Sequence, residues 1–267
     1  MLMKKNTLLR TSLIFFLTLC CSPCSADDHR CRISEESYDI GDGRVLVREH
    51  RCGNGGLTIF NMHDDEDTAV DASLKVIRQN GGRLVELSHS GERLVSFNLG
   101  DETFRFDPNR IFTSEGLKAT LERYGRYTRP AFDQVAFFAS ALLDDYRLME
   151  GELVITAHNN GASSYSASSY LPGAQYENDA GKVYIEEGSD PDDFFFVTVE
   201  SAFEDLKGAG FNVVLQDNRT VSDDGSLSVL AGRRGIPYIN CEAEHGHLEE
   251  QVKMLEFLWK LSPGPAE

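Results

Sequence analysis

Four short stretches carry side chains that can do chemistry. The first is NMHDDEDTA, residues 61–69, where His63 and Glu66 stand three apart behind an apolar run. A tight turn or first helical turn lets an imidazole and a carboxylate at that spacing reach one point. Zinc accepts that donor pair when a third ligand completes a small polyhedron and one position stays open. His158 in TAHNN, residues 156–160, is the candidate third ligand, because it too ends an apolar run. Two histidines argue for zinc over calcium, which prefers an all-oxygen shell. Asp64, Asp65 and Asp67 read as loop charge, helix-capping charge or partners that orient the ligands. The competing reading of the whole stretch is a solvated acidic turn in a chain with 43 Asp and Glu against 26 Lys and Arg.

The second pair of stretches concerns substrate and base. In FRFDPNRIF, residues 104–112, an Asn-Arg pair is embedded among apolar and aromatic residues. The planar fork of Arg110 suits a carboxylate, and Asn109 adds an orienting amide; a structural salt bridge is the alternative. In YINCEAEHGH, residues 238–247, strand alternation puts Asn240, Glu242 and Glu244 on one face. A carboxylate entering an apolar strand suits a general base beside a metal-activated water, with Glu242 the first choice and Glu244 the runner-up. His245 and His247 compete with His158 as ligands.

The elements that must position these residues follow from hydropathy patterning. Residues 44–52 alternate as an early strand, and LTIF at 57–60 is a second. Residues 67–80 read as a helix capped by Asp67 or Thr68. RLVELSHSGERLVSFNLGDETFRF reads as hairpin material turning at SHSGE. Helices follow in TSEGLKATLERYG and at 131–148. The strand ELVITAHNN leads into a long Ser- and Tyr-rich loop, from which Tyr165 or Tyr170 can reach a pocket. KVYIEEG, FFFVTV, FNVVLQD and IPYINCEAE read as strands, FEDLKGAG and EEQVKMLEFLWKLS as helices. Strand, helix, strand recurs, which predicts an α/β domain with a mixed, largely parallel central sheet and helices on both faces. Ligands in such folds collect beyond the carboxyl ends of strands.

Residues 1–26 have the pattern of a secretory signal peptide: Lys4, Lys5 and Arg10, an apolar run at 12–19, and a small-residue CSA site. That run is too short for a normal transmembrane helix, so no stable membrane span is expected after cleavage. The expected organisation is a signal peptide at 1–26, an N-terminal segment at 27–54, a catalytic domain at 55–262 and a tail at 263–267, in a periplasmic or secreted protein. Cys31 and Cys52 would remain and can bridge in an oxidising compartment. Cys241 reads as a buried strand residue. The formal charge of −17 becomes −20 without the leader, and no basic stripe appears, which argues against nucleic acid as a partner.

Taken in order, these motifs resemble the zinc carboxypeptidase superfamily, in particular its shorter succinylglutamate desuccinylase and aspartoacylase-like branch. The resemblance is carried by His63 and Glu66, then Asn109 and Arg110 in DPNRIF, then His158 in TAHNN, then Glu242 in NCEAE. It covers roughly residues 55–260 and implies a zinc-carboxypeptidase-like fold. It also implies Zn2+ on His63, Glu66 and His158, a carboxylate clamp at Asn109 and Arg110, and a catalytic glutamate. Arg105 is a possible assistant at the scissile carbonyl, and Tyr165 a substrate contact. The implied activity is amide hydrolysis next to a substrate carboxylate, in a peptide such as a cell-wall peptide. N-acyl-amino-acid deacylation is the nearest alternative, and an inactive carboxylate- or peptide-binding module the alternative of another class.

Overall fold

The computed structural model describes residues 29–150, 153–162 and 165–261. The signal-peptide reading and the tail at 263–267 lie outside them. Strands are β1 (Cys31–Ile40), β2 (Gly43–Cys52), β3 (Leu57–Asn61), β4 (Gly82–Ser88), β5 (Val95–Leu99), β6 (Glu102–Phe106), β7 (Val154–Asn160), β8 (Ala180–Tyr184), β9 (Phe194–Val197), β10 (Asn212–Gln216) and β11 (Tyr238–Glu244). Helices are α1 (Asp67–Asn80), α2 (Ser114–Tyr124), α3 (Arg129–Asp145), α4 (Glu200–Gly208), α5 (Leu227–Arg234) and α6 (Leu248–Leu261).

Among the described residues, nine strands form one sheet in the order β1-β2-β4-β3-β7-β11-β9-β10-β8. Its central four, β4, β3, β7 and β11, run parallel. They are buried on both faces, so they read in sequence as short apolar runs rather than alternations. Antiparallel pairings, β1 with β2, β2 with β4, β11 with β9 and β10 with β8, carry the sheet outward on both sides. The architecture is α/β with a mixed sheet. One face packs Val76 and Ile77 of α1, Phe203 and Leu206 of α4, and Leu255 and Leu258 of α6. The other packs Leu117 and Leu121 of α2, Val135 and Phe138 of α3, and Leu227 and Leu230 of α5.

Several expectations change in detail. Residues 31–52 of the N-terminal segment join the sheet: β1 and β2 form its edge hairpin, and a Cys31–Cys52 disulfide closes the open end. RLVELS is not one arm of a hairpin turning at SHSGE. It is β4, inserted between β2 and β3. The hairpin is β5–β6, turning at Gly100 and Asp101. Neither Asp67 nor Thr68 caps α1; Glu66 occupies that position, with its side chain turned away from the helix amides. Asn159 Oδ1 takes the Ala69 amide at 2.8 Å instead, tying the TAHNN segment to the start of α1. Cys241 is buried and unbridged, as expected of a strand residue.

Candidate metal centre and substrate cavity

β3, β7 and β11 are adjacent, and their carboxyl ends open into one cavity of about 700 Å³. His63 lies just past β3, His158 near the end of β7, and Glu242 opposite His158 in the β11–β7 register. Each strand thus brings a histidine or a carboxylate to the crevice where α/β folds place their ligands.

His63 Nδ1 lies 2.7 Å from Glu66 Oε1 and 3.1 Å from His158 Nδ1. His158 Nδ1 lies 2.8 Å from Glu66 Oε2. All three residues are at most 4% exposed. Donors held around a metal at about 2.0–2.1 Å in a tetrahedron stand about 3.3 Å apart, so a small relaxation of these side chains accommodates an ion. Two imidazoles and a carboxylate are a donor set that fits.

The orientation of His63 has its own support. Its Nε2 lies 2.8 Å from Asp107 Oδ1. If Nδ1 is to offer a lone pair to a metal, the single ring proton must sit on Nε2, and Asp107 accepts it there. Asp107 Oδ1 also accepts from Asn109 N at 2.9 Å, the turn that Asp-Pro-Asn builds at the start of a short helical turn. Arg93 bridges the two carboxylates, with Nη1 3.0 Å from Glu66 Oε1 and Nε 3.2 Å from Asp107 Oδ2. The protein charges alone perturb these groups strongly. Burial opposes the charge on His63, but Glu66 and Asp107 outweigh it and its pKa is pushed up to about 9. Burial would raise Glu66 and Asp107 too, yet the histidines and arginines around them hold both well below the usual carboxylate range.

Glu242 has the opposite environment. Burial, only partly offset by His158, raises its pKa above the ordinary value. Its side chain accepts from Asn240 Nδ2 at 2.9 Å. Glu244, two residues on, points elsewhere: its backbone N–H donates to Asp193 and its carboxylate lies 3.9 Å from His247. His247 pairs with Asp193 at 2.9 Å, and His245 is exposed, so neither meets His63 and Glu66. Among the described residues, Asp190, Glu244 and His247 form a separate, more exposed group.

Asn109 and Arg110 reach the same cavity. Asn109 Oδ1 accepts from Leu227 N at 3.2 Å, and its Nδ2 makes a long 3.4 Å approach to His158 Nε2. Arg110 is partly exposed and lies 3.2 Å from Asp224. Tyr165 is on the cavity wall with its hydroxyl 2.5 Å from that of Tyr170.

Arg105 does not join them. It sits on the solvent face of β6 opposite Ser96, exposed and outside the cavity, because alternation sends Phe104 and Phe106 to the core and Arg105 away from it. The arginine at the carboxylates is Arg93. It lies in a polar turn, where nothing in the residue pattern distinguishes it from surface charge. Asp107 was equally unmarked; its Asx-type turn before Pro108 is the one local signal. Asp64 is more than loop charge. Its Oδ2 accepts from the backbone amides of His89, Ser90 and Gly91 at 2.6–2.7 Å and so fixes the turn that carries Arg93. Asp65 and Asp67 are exposed.

No protein-family profile matches the chain, and no curated protein matches it either. Solved structures similar to it include the murein-tripeptide amidase MpaA from Escherichia coli O157, at TM-score 0.43 and 13% identity over 78% of this chain and 82% of that one. An aspartoacylase family protein from Mesorhizobium loti aligns at TM-score 0.43 and 14% identity over 91% of this chain and 71% of that one. Likeness of this degree carries nothing about chemistry, which has to be read from the chain's own side chains.

Proposed function

We propose that the protein is a zinc-dependent amide hydrolase of the carboxypeptidase-like kind, cleaving next to a substrate carboxylate. The observation that carries this reading is the meeting of His63 Nδ1, Glu66 and His158 Nδ1 at 2.7–3.1 Å, with buried Glu242 on the neighbouring strand.

His63, Glu66 and His158 would hold the zinc, which supplies Lewis acidity toward a water and a carbonyl oxygen. Asp107 holds His63 in the tautomer this needs. Glu242, raised by burial, takes a proton from the attacking water and returns it to the leaving amine. Arg93, in the place expected for Arg105, can turn an N–H toward the developing oxyanion. Arg110, with Asn109 beside it, binds the substrate carboxylate and fixes its distance from the scissile bond, which favours release of a terminal residue over internal cleavage. Tyr165 lines the route between them.

Peptides, including cell-wall peptides, and N-acyl amino acids share this chemistry. Export to a periplasmic or secreted location, with residues 1–26 removed, favours peptides. The Cys31–Cys52 disulfide supports an oxidising compartment. No helix among the described residues is long and apolar enough to cross a membrane.

The test is metal analysis joined to turnover. About one zinc per chain is expected, lost in His63→Ala together with release of amino acid from N-acyl dipeptides and N-acyl amino acids. A folded protein that takes up no metal refutes the centre. A full zinc site with no turnover across both substrate classes refutes hydrolysis and leaves a binding module.

A further inference from the structure

The carboxylate clamp has an unexpected neighbour. Arg110 Nε lies 3.2 Å from Asp224 Oδ2, while Arg110 Nη1 donates to Asn109 O at 2.7 Å. The Arg110 side chain is 34% exposed and lines the cavity. A carboxylate beside an arginine meant for carboxylates weakens that arginine for a simple anion, because the incoming charge meets a like charge a few ångströms away.

Asp224 is not a plug that swings aside. Its loop, SDDGS at 222–226, is stapled to the clamp segment. Gly225 adopts φ +83°, and a Cβ there would stand 2.5 Å from Arg110 O; one on Gly116 would stand 2.1 Å from Gly225 Cα. Phe112 N donates to Gly225 O at 2.9 Å, and Asp223 accepts from Thr113 Oγ1 and Arg233 Nη1 at 2.6 Å each. Asp224 Oδ1 accepts from Ser226 N at 2.9 Å. The acid is a fixed part of the cavity wall.

The same wall continues with acceptors. Ser226 and Ser228 hydroxyls meet at 2.9 Å, and Gln216 Nε2 donates to Ser228 O and Asn218 Oδ1. Those two donations fix the amide's orientation and leave Oε1 as an acceptor. Gln216 lines the cavity at 3% exposure, and its Oε1 has no partner among the described residues. That oxygen is sealed from solvent, so a ligand in the cavity does not reach it directly. Tyr170 lines the same cavity as Asp224 and Arg110. Tyr176 and Phe196 line it as well, and the π faces of all three favour a cation.

We propose that the residue released at this site is a diamino acid, its carboxylate held by Arg110 and its free ammonium by Asp224. This rests on the amide-hydrolase reading above. It turns the Arg110–Asp224 pair from a self-cancelling contact into complementary halves of one recognition site.

The test uses zinc-loaded protein and one common acyl group joined to lysine, ornithine or 2,3-diaminopropionate. Each is compared with its partner lacking the ammonium: norleucine, norvaline or alanine. At least one pair should favour the diamino acid by roughly 10- to 100-fold in kcat/KM, the range of a charge-assisted hydrogen bond in a partly buried site. In Asp224→Asn that ratio should fall to near one. Ratios near one in all three wild-type pairs, or a preference for acidic residues, overturn the proposal. So does an Asp224→Asn protein that slows both members of a pair alike, the mark of a merely structural acid. If no amide is cleaved, the hydrolase reading fails separately. Calorimetry with the six N-acetyl amino acids then decides the pocket: diamino acids bound no more tightly than their neutral partners overturn it.

Discussion

Replacing Asp107 with Asn should weaken zinc binding without unfolding the protein. Asp107 is 3% exposed and its side chain makes three contacts. Oδ1 faces His63 Nε2 at 2.8 Å and Asn109 N at 2.9 Å, and Oδ2 faces Arg93 Nε at 3.2 Å. An asparagine fills the same volume but offers one acceptor and one donor. With its oxygen toward His63, its NH2 opposes Arg93. With its NH2 toward His63, it drives the ring proton to Nδ1, the atom that must hold the metal. Either arrangement forfeits a charge-assisted contact. Partners of this kind are worth about 10- to 100-fold in metal affinity, or roughly 1.4–2.7 kcal/mol. The assay is a competition titration with a chromophoric zinc chelator at fixed pH, with circular dichroism to verify the fold. Asp107→Ala should lose at least as much, since it leaves a buried imidazole N–H unpaired. An Asp107→Asn protein within twofold of wild type would refute the reasoning, because His63 would then keep its tautomer without this carboxylate.

Glu242→Gln should lose about 10²- to 10⁴-fold in kcat while retaining zinc, and Glu244→Gln should stay within threefold; steady-state kinetics with metal analysis separates them. Arg93→Ala should cost about 10²- to 10³-fold in kcat if it serves the oxyanion, whereas Arg105→Ala, exposed on β6, should change kcat/KM by less than twofold. Removing the Cys31–Cys52 bridge, with its sequence separation of 21, should cost about 3 kcal/mol of unfolding free energy, read by denaturant titration under non-reducing conditions. Gly225→Ala, forced into φ +83° and against Arg110 O, should cost roughly 2–4 kcal/mol and raise KM through the displaced clamp.

The parts of the fold legible in sequence are those whose burial leaves a pattern. β3, β7 and β11 are apolar runs because both their faces are covered, and α1, α3 and α6 carry a clear apolar side. β1 escaped because it is an edge strand: most of CRISEESYDI faces solvent, so no alternation marks it. β4 was assigned to the wrong pairing, since a strand's own residues do not name its neighbours. α5 was missed because eight residues ending in Gly-Arg-Arg present too short a period. The candidate metal ligands stood out because histidine is scarce, at 7 in 267 residues, and two of them end apolar strands. Asp107 and Arg93 could not stand out. Their importance arises where the β4–β5 turn, the β6 end and the start of α1 meet, and no stretch of chain contains that meeting.

The choice between turnover and mere binding rests most heavily on Glu242. A module that only captured carboxylates would gain from positive charge throughout its cavity. This cavity instead buries Glu242 at 7% exposure, besides Glu66 and Asp107, with Asn240 Nδ2 as its hydrogen-bond donor among the described residues. Such burial is unfavourable for an ionised group and would repel a bound substrate anion. Those costs are offset if the group exchanges a proton during the reaction, since the burial that raises its pKa also makes it a better base. Replacing Glu242 with a neutral isostere should then stabilise the fold or tighten product binding while turnover is lost. A purely structural acid would show the reverse: lower stability, with no selective effect on kcat.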